Sequence, residues 1–137
     1  MSKIAVVYWS GTGNTEAMAE EIAKACSADL YQASDFNADL MSNYQTIAFG
    51  CPSMGAEELE EGEFAPMFDS VKGKLFGKKI ALFGSYDWGD GEWMRTWQAE
   101  CESFGAQMVA DGLICHQTPD EDGLADCRQL GQQLASQ

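Results

Sequence analysis

Basic side chains are scarce in this sequence: 8 Lys and Arg stand against 22 Asp and Glu, a formal net charge of −14 over 137 residues. A surface of that sign repels phosphate backbones and argues against nucleic-acid binding by charge neutralisation. It repels anionic lipid headgroups as well. Attraction runs toward basic patches on partner proteins. Long apolar runs are also missing. Ile4 to Trp9 spans six residues, too few for a signal h-region or a membrane span, so the chain is expected to be cytoplasmic with no membrane role. There is one histidine, His116, with no metal-ligand neighbour in sequence. No Ser/His/Asp or Cys/His catalytic set is credible on that basis, and we assign His116 to the surface. The five cysteines include no C-x-x-C pair, which makes a disulfide framework or a zinc site improbable. They are expected to behave as small buried hydrophobes.

What is present suits one folded domain covering residues 1–137,. Apolar residues make up 45% and aromatics 11%, enough to bury a real core and too aromatic for a disordered acidic chain. Strand-like and helix-like patterns alternate. Lys3 to Trp9, Thr46 to Cys51 and Lys78 to Gly84 are short apolar runs predicted to be strands buried on both faces,. Asp29 to Gln32 is a brief second strand, and Gln107 to Cys115 the last one. Met18, Ile22 and Cys26 recur at helical spacing in Asn14 to Cys26, as do Trp93, Trp97, Cys101 and Phe104 in Glu92 to Phe104,. That spacing makes Trp93 and Trp97 core residues. Gly62 to Lys72 reads as a weaker helix with Pro66 near its first turns or kinking it,. Leu124, Cys127, Leu130 and Leu134 mark a final helix opened by Thr118-Pro119-Asp120,. Repeated β-α alternation implies a parallel sheet with helices on both faces. Ligands of such sheets bind outside the carboxyl ends of the strands.

Three polar or Gly-rich loops follow three strong strands. In loop one, Ser10-Gly11-Thr12-Gly13-Asn14-Thr15, two glycines let the chain turn sharply into a helix. The helix N-terminus aims free N–H groups at that turn, and three hydroxyls and an amide add donors. Thr12 or Asn14 as a simple cap would explain part of this pattern, but the density of donors favours an anion site. The loop has no Gly-Lys-Ser/Thr and no third glycine at dinucleotide spacing, so a triphosphate P-loop is excluded. No basic residue lies between Lys3 and Lys24, and the loop would hold a single phosphate by neutral donors. Loop two is Pro52-Ser53-Met54-Gly55-Ala56-Glu57-Glu58 and loop three is Ser85-Tyr86-Asp87-Trp88-Gly89-Asp90-Gly91. A tryptophan among Gly and Asp has no regular face on which to hide, so it either covers a core edge or stacks on a planar ligand. Phosphate at loop one, Met at loop two and Trp at loop three together describe a phosphorylated flat heterocycle.

Tyr8-Trp9-Ser10-Gly11-Thr12-Gly13-Asn14-Thr15-Glu16 resembles the phosphate loop of the flavodoxins. Gly50-Cys51-Pro52-Ser53-Met54-Gly55 and Gly84-Ser85-Tyr86-Asp87-Trp88-Gly89-Asp90-Gly91 resemble the two ring loops of the short-chain, clostridial-type members. The resemblance covers essentially the whole chain, and nothing between Ala106 and Thr118 leaves room for the insertion that splits the fifth strand of long-chain members. It implies a five-stranded parallel sheet in the order 2-1-3-4-5 and a monomer holding FMN non-covalently. It also implies a low-potential one-electron carrier, cycling between semiquinone and hydroquinone, that serves redox proteins with basic docking patches. Ser10, Gly11, Thr12, Gly13, Asn14 and Thr15 would hold the phosphate. Ser53, Met54, Gly55, Ala56 and Glu57 would meet the inner ring face and the N5, O4 and N3 edge. Ser85, Tyr86, Asp87, Trp88 and Gly89 would cover the outer face and the O2 edge. Asp87 stands where relatives usually have glycine, which would matter if that position needs a positive φ. Ala56 stands where relatives often carry a polar residue. Trp9 is assigned to packing near the phosphate loop.

The family's chemistry has physical footholds here. Gly55 tolerates the positive φ that a peptide flip beside flavin N5 requires. Glu57, Glu58, Glu60, Glu61, Glu63, Asp87, Asp90 and Glu92 lie in or near the ring loops. One carboxylate about 10 Å away at an effective dielectric of about 20 opposes a reduced, anionic ring by about 1.7 kcal/mol. For one electron that is about 70 mV. The alternative is a small FMN-dependent quinone or nitro reductase. Such an enzyme needs a substrate pocket that Met54 and Trp88, covering both ring faces, would close.

Overall fold

A computed structural model describes residues 3–137. Its strands are β1 (Ile4–Tyr8), β2 (Asp29–Gln32), β3 (Thr46–Gly50), β4 (Lys79–Tyr86), β5 (Gln107–Met108) and β6 (Leu113–His116). Its α-helices are α1 (Asn14–Cys26), α2 (Ala38–Met41), α3 (Phe64–Val71), α4 (Glu92–Ser103) and α5 (Glu121–Ala135). All pairings between these strands are parallel, in the order β2-β1-β3-β4-β5, with β6 also paired to β4. The expected 2-1-3-4-5 sheet is therefore present, its fifth position shared by β5 and β6.

Burial on both sides explains the unbroken apolar runs, because successive side chains of a strand point to opposite faces. Ile4, Val6 and Tyr8 pack with Met18 and Ile22 of α1 and with Leu130 and Leu134 of α5. Ala5 and Val7 pack on the other side with Phe64 and Phe68 of α3 and Trp93 and Trp97 of α4. That second face is the aromatic one: the Trp97 ring meets Phe64 and Phe68 edge-on at 5.3 and 5.7 Å. Trp93 and Trp97 are core residues, as their spacing predicts. Four of the five cysteines are buried and all are free thiols.

Two differences from the sequence reading stand out. The segment read as one strand from Gln107 to Cys115 is broken. Ile80 pairs with Met108 and Phe83 with Leu113, so β4 advances three residues where the edge segment uses five. The surplus bulges outward, and the Gly112 N–H donates to Gln98 Oε1 of α4 at 2.9 Å. An edge position tolerates such a break, and the apolar run Met108 to Ala110 conceals it in sequence. Pro66 lies in the first turn of α3, the first of the two placements its sequence allowed, where its missing N–H has no helical partner to lose. The short helix α2 was not expected at all. It is capped by Asn37, whose Oδ1 accepts from the Leu40 N–H at 2.9 Å. By contrast α5 starts where its signal predicts, Asp120 Oδ1 accepting from the Gly123 N–H at 2.8 Å,.

Candidate functional site: three loops at the carboxyl ends of the strands

Parallel strands put their carboxyl ends on one edge of the sheet, so loops one, two and three emerge side by side from β1, β3 and β4. Loop one is built by short-range bonds. The Gly13 N–H donates to Ser10 Oγ at 3.0 Å and the Asn14 N–H to Thr12 Oγ1 at 3.4 Å. Gly13, at φ 94, is the residue that caps α1. Thr15 is 1% exposed, and its hydroxyl lies 2.8 Å from that of Ser85. The Ser85 N–H also donates to Thr15 Oγ1 at 3.4 Å. One buried pair thus ties the start of α1 to the end of β4.

Loop two is a tight hairpin. Met54 and Glu58 exchange two backbone bonds of 2.8 Å around Gly55, Ala56 and Glu57. Gly55 has φ 52 and, less expectedly, Glu57 has φ 56. A non-glycine residue in that region carries strain. The Glu57 carboxylate offsets part of it by accepting the Glu92 N–H at the first turn of α4, at 3.1 Å. It lies so near Gly89 that a Cβ there would fall 2.5 Å from Oε1. Loop three takes positive φ at Gly89 and Gly91, and Asp87 is not among such positions. The condition under which Asp87 would be strained is therefore not met.

Between the loops lies a cavity of about 320 Å³ lined by Trp9, Gly11, Thr12, Asn14, Pro52, Ser53, Met54, Ser85, Tyr86 and Asp87. It gathers members of all three predicted loops and adds Trp9. Trp9 lies against Gly11, and its Nε1–H donates to Glu63 Oε1 at 3.4 Å. The only hint of that role in sequence is its position directly before Ser10. Ser10, Gly13, Thr15, Gly55, Ala56, Glu57, Trp88 and Gly89 belong to the same three loops but are not among the residues that line the cavity. Met54 is 39% exposed and Trp88 61%, which leaves both side chains accessible to a planar ligand. The donor set fits FMN: neutral hydroxyls and a helix N-terminus for a phosphate at one end, apolar and aromatic side chains for a flat ring at the other. No Lys or Arg lines the cavity.

Two carboxylates near loop two are structural. Glu60 accepts from the Gly62, Glu63 and Phe64 N–H groups at 2.7 to 2.8 Å, capping α3. Burial works against its charge, but those three donors outweigh it and hold the carboxyl below its ordinary range,. Glu57 caps α4 as described. Cys51, at the root of loop two, has its thiol pushed up to about 12 by burial, so it is a poor nucleophile at neutral pH. His116, assigned to the surface from sequence, is exposed but also reaches loop three: its Nε2 lies 3.0 Å from the Asp87 carbonyl oxygen.

Fold and site together define a class: α/β proteins that seat a phosphorylated planar heterocycle at the carboxyl edge of a doubly wound sheet. The flavodoxin family model matches residues 6–131. The chain is 44% identical over 136 residues to the flavodoxin of Clostridium beijerinckii, spanning 96% of this chain and 98% of that protein. It is 44% identical over 137 residues to the Megasphaera elsdenii flavodoxin, at the same coverage. The solution structure of two-electron reduced Megasphaera elsdenii flavodoxin superposes with a TM-score of 0.85 at 42% identity, covering 98% of this chain and 99% of that one. Oxidised flavodoxin 1 from Bacillus cereus gives 0.88 at 27% identity and 98% coverage of both chains. The chain belongs to the flavodoxin family. Its cofactor is FMN, and it is an electron-transfer flavoprotein that passes electrons to redox partner proteins, not an enzyme.

Proposed function

We propose that the three loops seat FMN in one orientation, and that this single domain works as a cytoplasmic monomer docking on basic patches of its partners. The observation that carries the seating is the cavity shared by loops one, two and three. Bound FMN supplies reversible one-electron chemistry. Ser10, Thr12, Asn14 and Thr15, with nearby backbone N–H groups, take the phosphate, and the α1 N-terminus adds its dipole. Met54 covers the inner ring face and Trp88 the outer, which excludes water and leaves little space for a second substrate. The Ala56 and Glu57 backbone meets the N5, O4 and N3 edge, with Ser53 supporting it. Loop-three amides near Asp87 and Gly89 meet the O2 edge. Gly55, already at positive φ, is the hinge at which the loop-two peptide turns with redox state.

Docking is supported by exposed carboxylates on Glu58, Glu61, Glu63, Asp87, Asp90 and Glu92 around the ring loops. They present an acidic rim to basic partners. Among the described residues no helix is long and apolar enough to cross a membrane. The seating is tested by titrating isotope-labelled apoprotein with FMN and following its amide resonances. Shifts should concentrate in Ser10–Thr15, Ser53–Glu57 and Ser85–Gly89. Shifts centred instead on the cavity of about 330 Å³ between α4 and β6, lined by Met94, Arg95 and Gln98, would overturn it.

A further inference from the structure

The exit of β6 grips the start of loop three at two successive carbonyls. The Gln117 N–H donates to the Tyr86 oxygen at 2.8 Å. His116 Nε2 stands 3.0 Å from the Asp87 oxygen. A carbonyl can only accept, so Nε2 carries the proton and donates. The imidazole also packs on the Tyr86 ring, centroids 5.1 Å apart. Gln117 adopts φ 59 to end the strand here, and strain in a non-glycine residue is kept where surrounding structure over-determines it. Tyr86 and Asp87 both line the FMN cavity. Loop three is exposed from Asp87 to Asp90; Arg95 holds its far end through the Asp90 carbonyl and carboxylate, both at 3.0 Å, and His116 holds its near end at Asp87.

We propose that His116 is a positioning residue of the flavin site. It fixes the Asp87 carbonyl, and through it the backbone that faces the O2 edge of the ring, without touching the ring itself. This rests on the seating of FMN in the three loops. A hydrogen bond that orders a binding loop before the ligand arrives lowers the entropic cost of binding, and its loss weakens affinity rather than the fold.

Two variants separate the bond from the bulk. His116→Phe keeps a ring over Tyr86 and removes the donor. His116→Gln removes the ring and places an amide N–H within reach of the same oxygen. FMN titration of the apoproteins should show about tenfold weaker binding for His116→Phe, and within threefold of the parent for His116→Gln. Amide exchange in β1 and β3 should be unchanged in both, and exchange at Trp88 and Gly89 faster in His116→Phe alone. Parent-like affinity in His116→Phe, or equal weakening in both variants, would overturn the proposal. If the parent's FMN-induced shifts fell outside the three loops, the seating itself would be wrong and this role with it. Shifts within the loops with His116→Phe unaffected would remove only the role of His116.

Discussion

Loop one and the two ring loops solve the same problem with opposite means. Loop one is neutral and anchored by hydroxyls: Ser10 accepts from the Gly13 N–H, and Thr15 reaches across a buried contact to Ser85 at the end of β4. Loops two and three are acidic and exposed; beyond the hairpin bonds of loop two, they are tied to neighbouring elements at their surface by Glu57 on the Glu92 N–H, Arg95 on Asp90 and His116 on the Asp87 oxygen. A phosphate has the same charge in every redox state of the cofactor, so a rigid cradle of neutral dipoles serves it throughout. A ring that gains and loses electrons needs surroundings that can move and that respond to charge. Stiffness at one end and looseness at the other follow from what each end must hold.

If loop one is the rigid end, breaking its anchor should damage the fold itself. Thr15→Val keeps the shape of the side chain and strands the Ser85 hydroxyl and N–H without a partner. A buried polar group left unpaired costs about 1–3 kcal/mol, so we expect denaturant unfolding of the apoprotein to show a loss of about 2 kcal/mol, with FMN affinity falling as well. Unchanged stability would mean that loop one is no more firmly anchored than the ring loops.

The ring loops should respond the other way, with binding lost before stability. Gly89→Ala places a methyl at φ 88 and against the Glu57 carboxylate. Positive φ alone costs a residue with Cβ about 1–2 kcal/mol, and relief comes by releasing Glu57 from α4. Calorimetric titration should show FMN binding weakened about tenfold, while the apoprotein unfolding midpoint moves less than in Thr15→Val. A drop in stability exceeding that of Thr15→Val would erase the contrast.

Most of the fold was legible because burial on both faces writes itself into runs such as Thr46 to Cys51, and helical stripes such as Trp93, Trp97 and Cys101 have no competing explanation. The three loops were legible as loops for the same reason: glycine and polar residues interrupt strong strands. The anchors were not. Glu57 and Glu60 look like any other members of an acidic stretch, since nothing in the chain tells a carboxylate that accepts a backbone N–H from one in water. His116 was passed over because a lone histidine has no sequence partner; its partner is the Asp87 carbonyl, a backbone atom that no side-chain pattern encodes. The break between β5 and β6 was hidden because Val109 and Ala110 continue the apolar run.

Glu60 tests whether the acids in and near loop two form one population. Its carboxyl titrates below its ordinary range because three backbone donors favour the charged form over the opposing effect of burial. A depressed folded-state value means that its contribution is present above the unfolded value, about 4.3, and is lost as pH falls through the folded one. Glu60→Gln retains one acceptor oxygen and should lose about 1 kcal/mol at neutral pH, as cap removal does. Unfolding curves of variant and parent measured from pH 7 downward should then draw together once pH falls below the unfolded value. A constant difference across that range would show that the charge of Glu60 contributes nothing to the cap.

The exposed acids should show the smallest effects and the ones most sensitive to salt. Glu58→Gln, Glu61→Gln and Asp87→Asn remove charge near the ring without removing any side-chain hydrogen bond found for these carboxylates. Each should raise the more negative one-electron potential, by less than the roughly 70 mV that an unscreened charge about 10 Å away would give. Exposure reduces that to tens of millivolts, and at about 1 M salt, where the screening length is near 3 Å, the shift should nearly vanish. Protein-film voltammetry at low and high salt separates the two readings of the acidic rim. A shift that survives high salt would place the carboxylate in a drier position than its exposure implies. No shift at low salt would leave the rim only its docking role, which slower electron transfer to a basic partner at low salt would reveal independently.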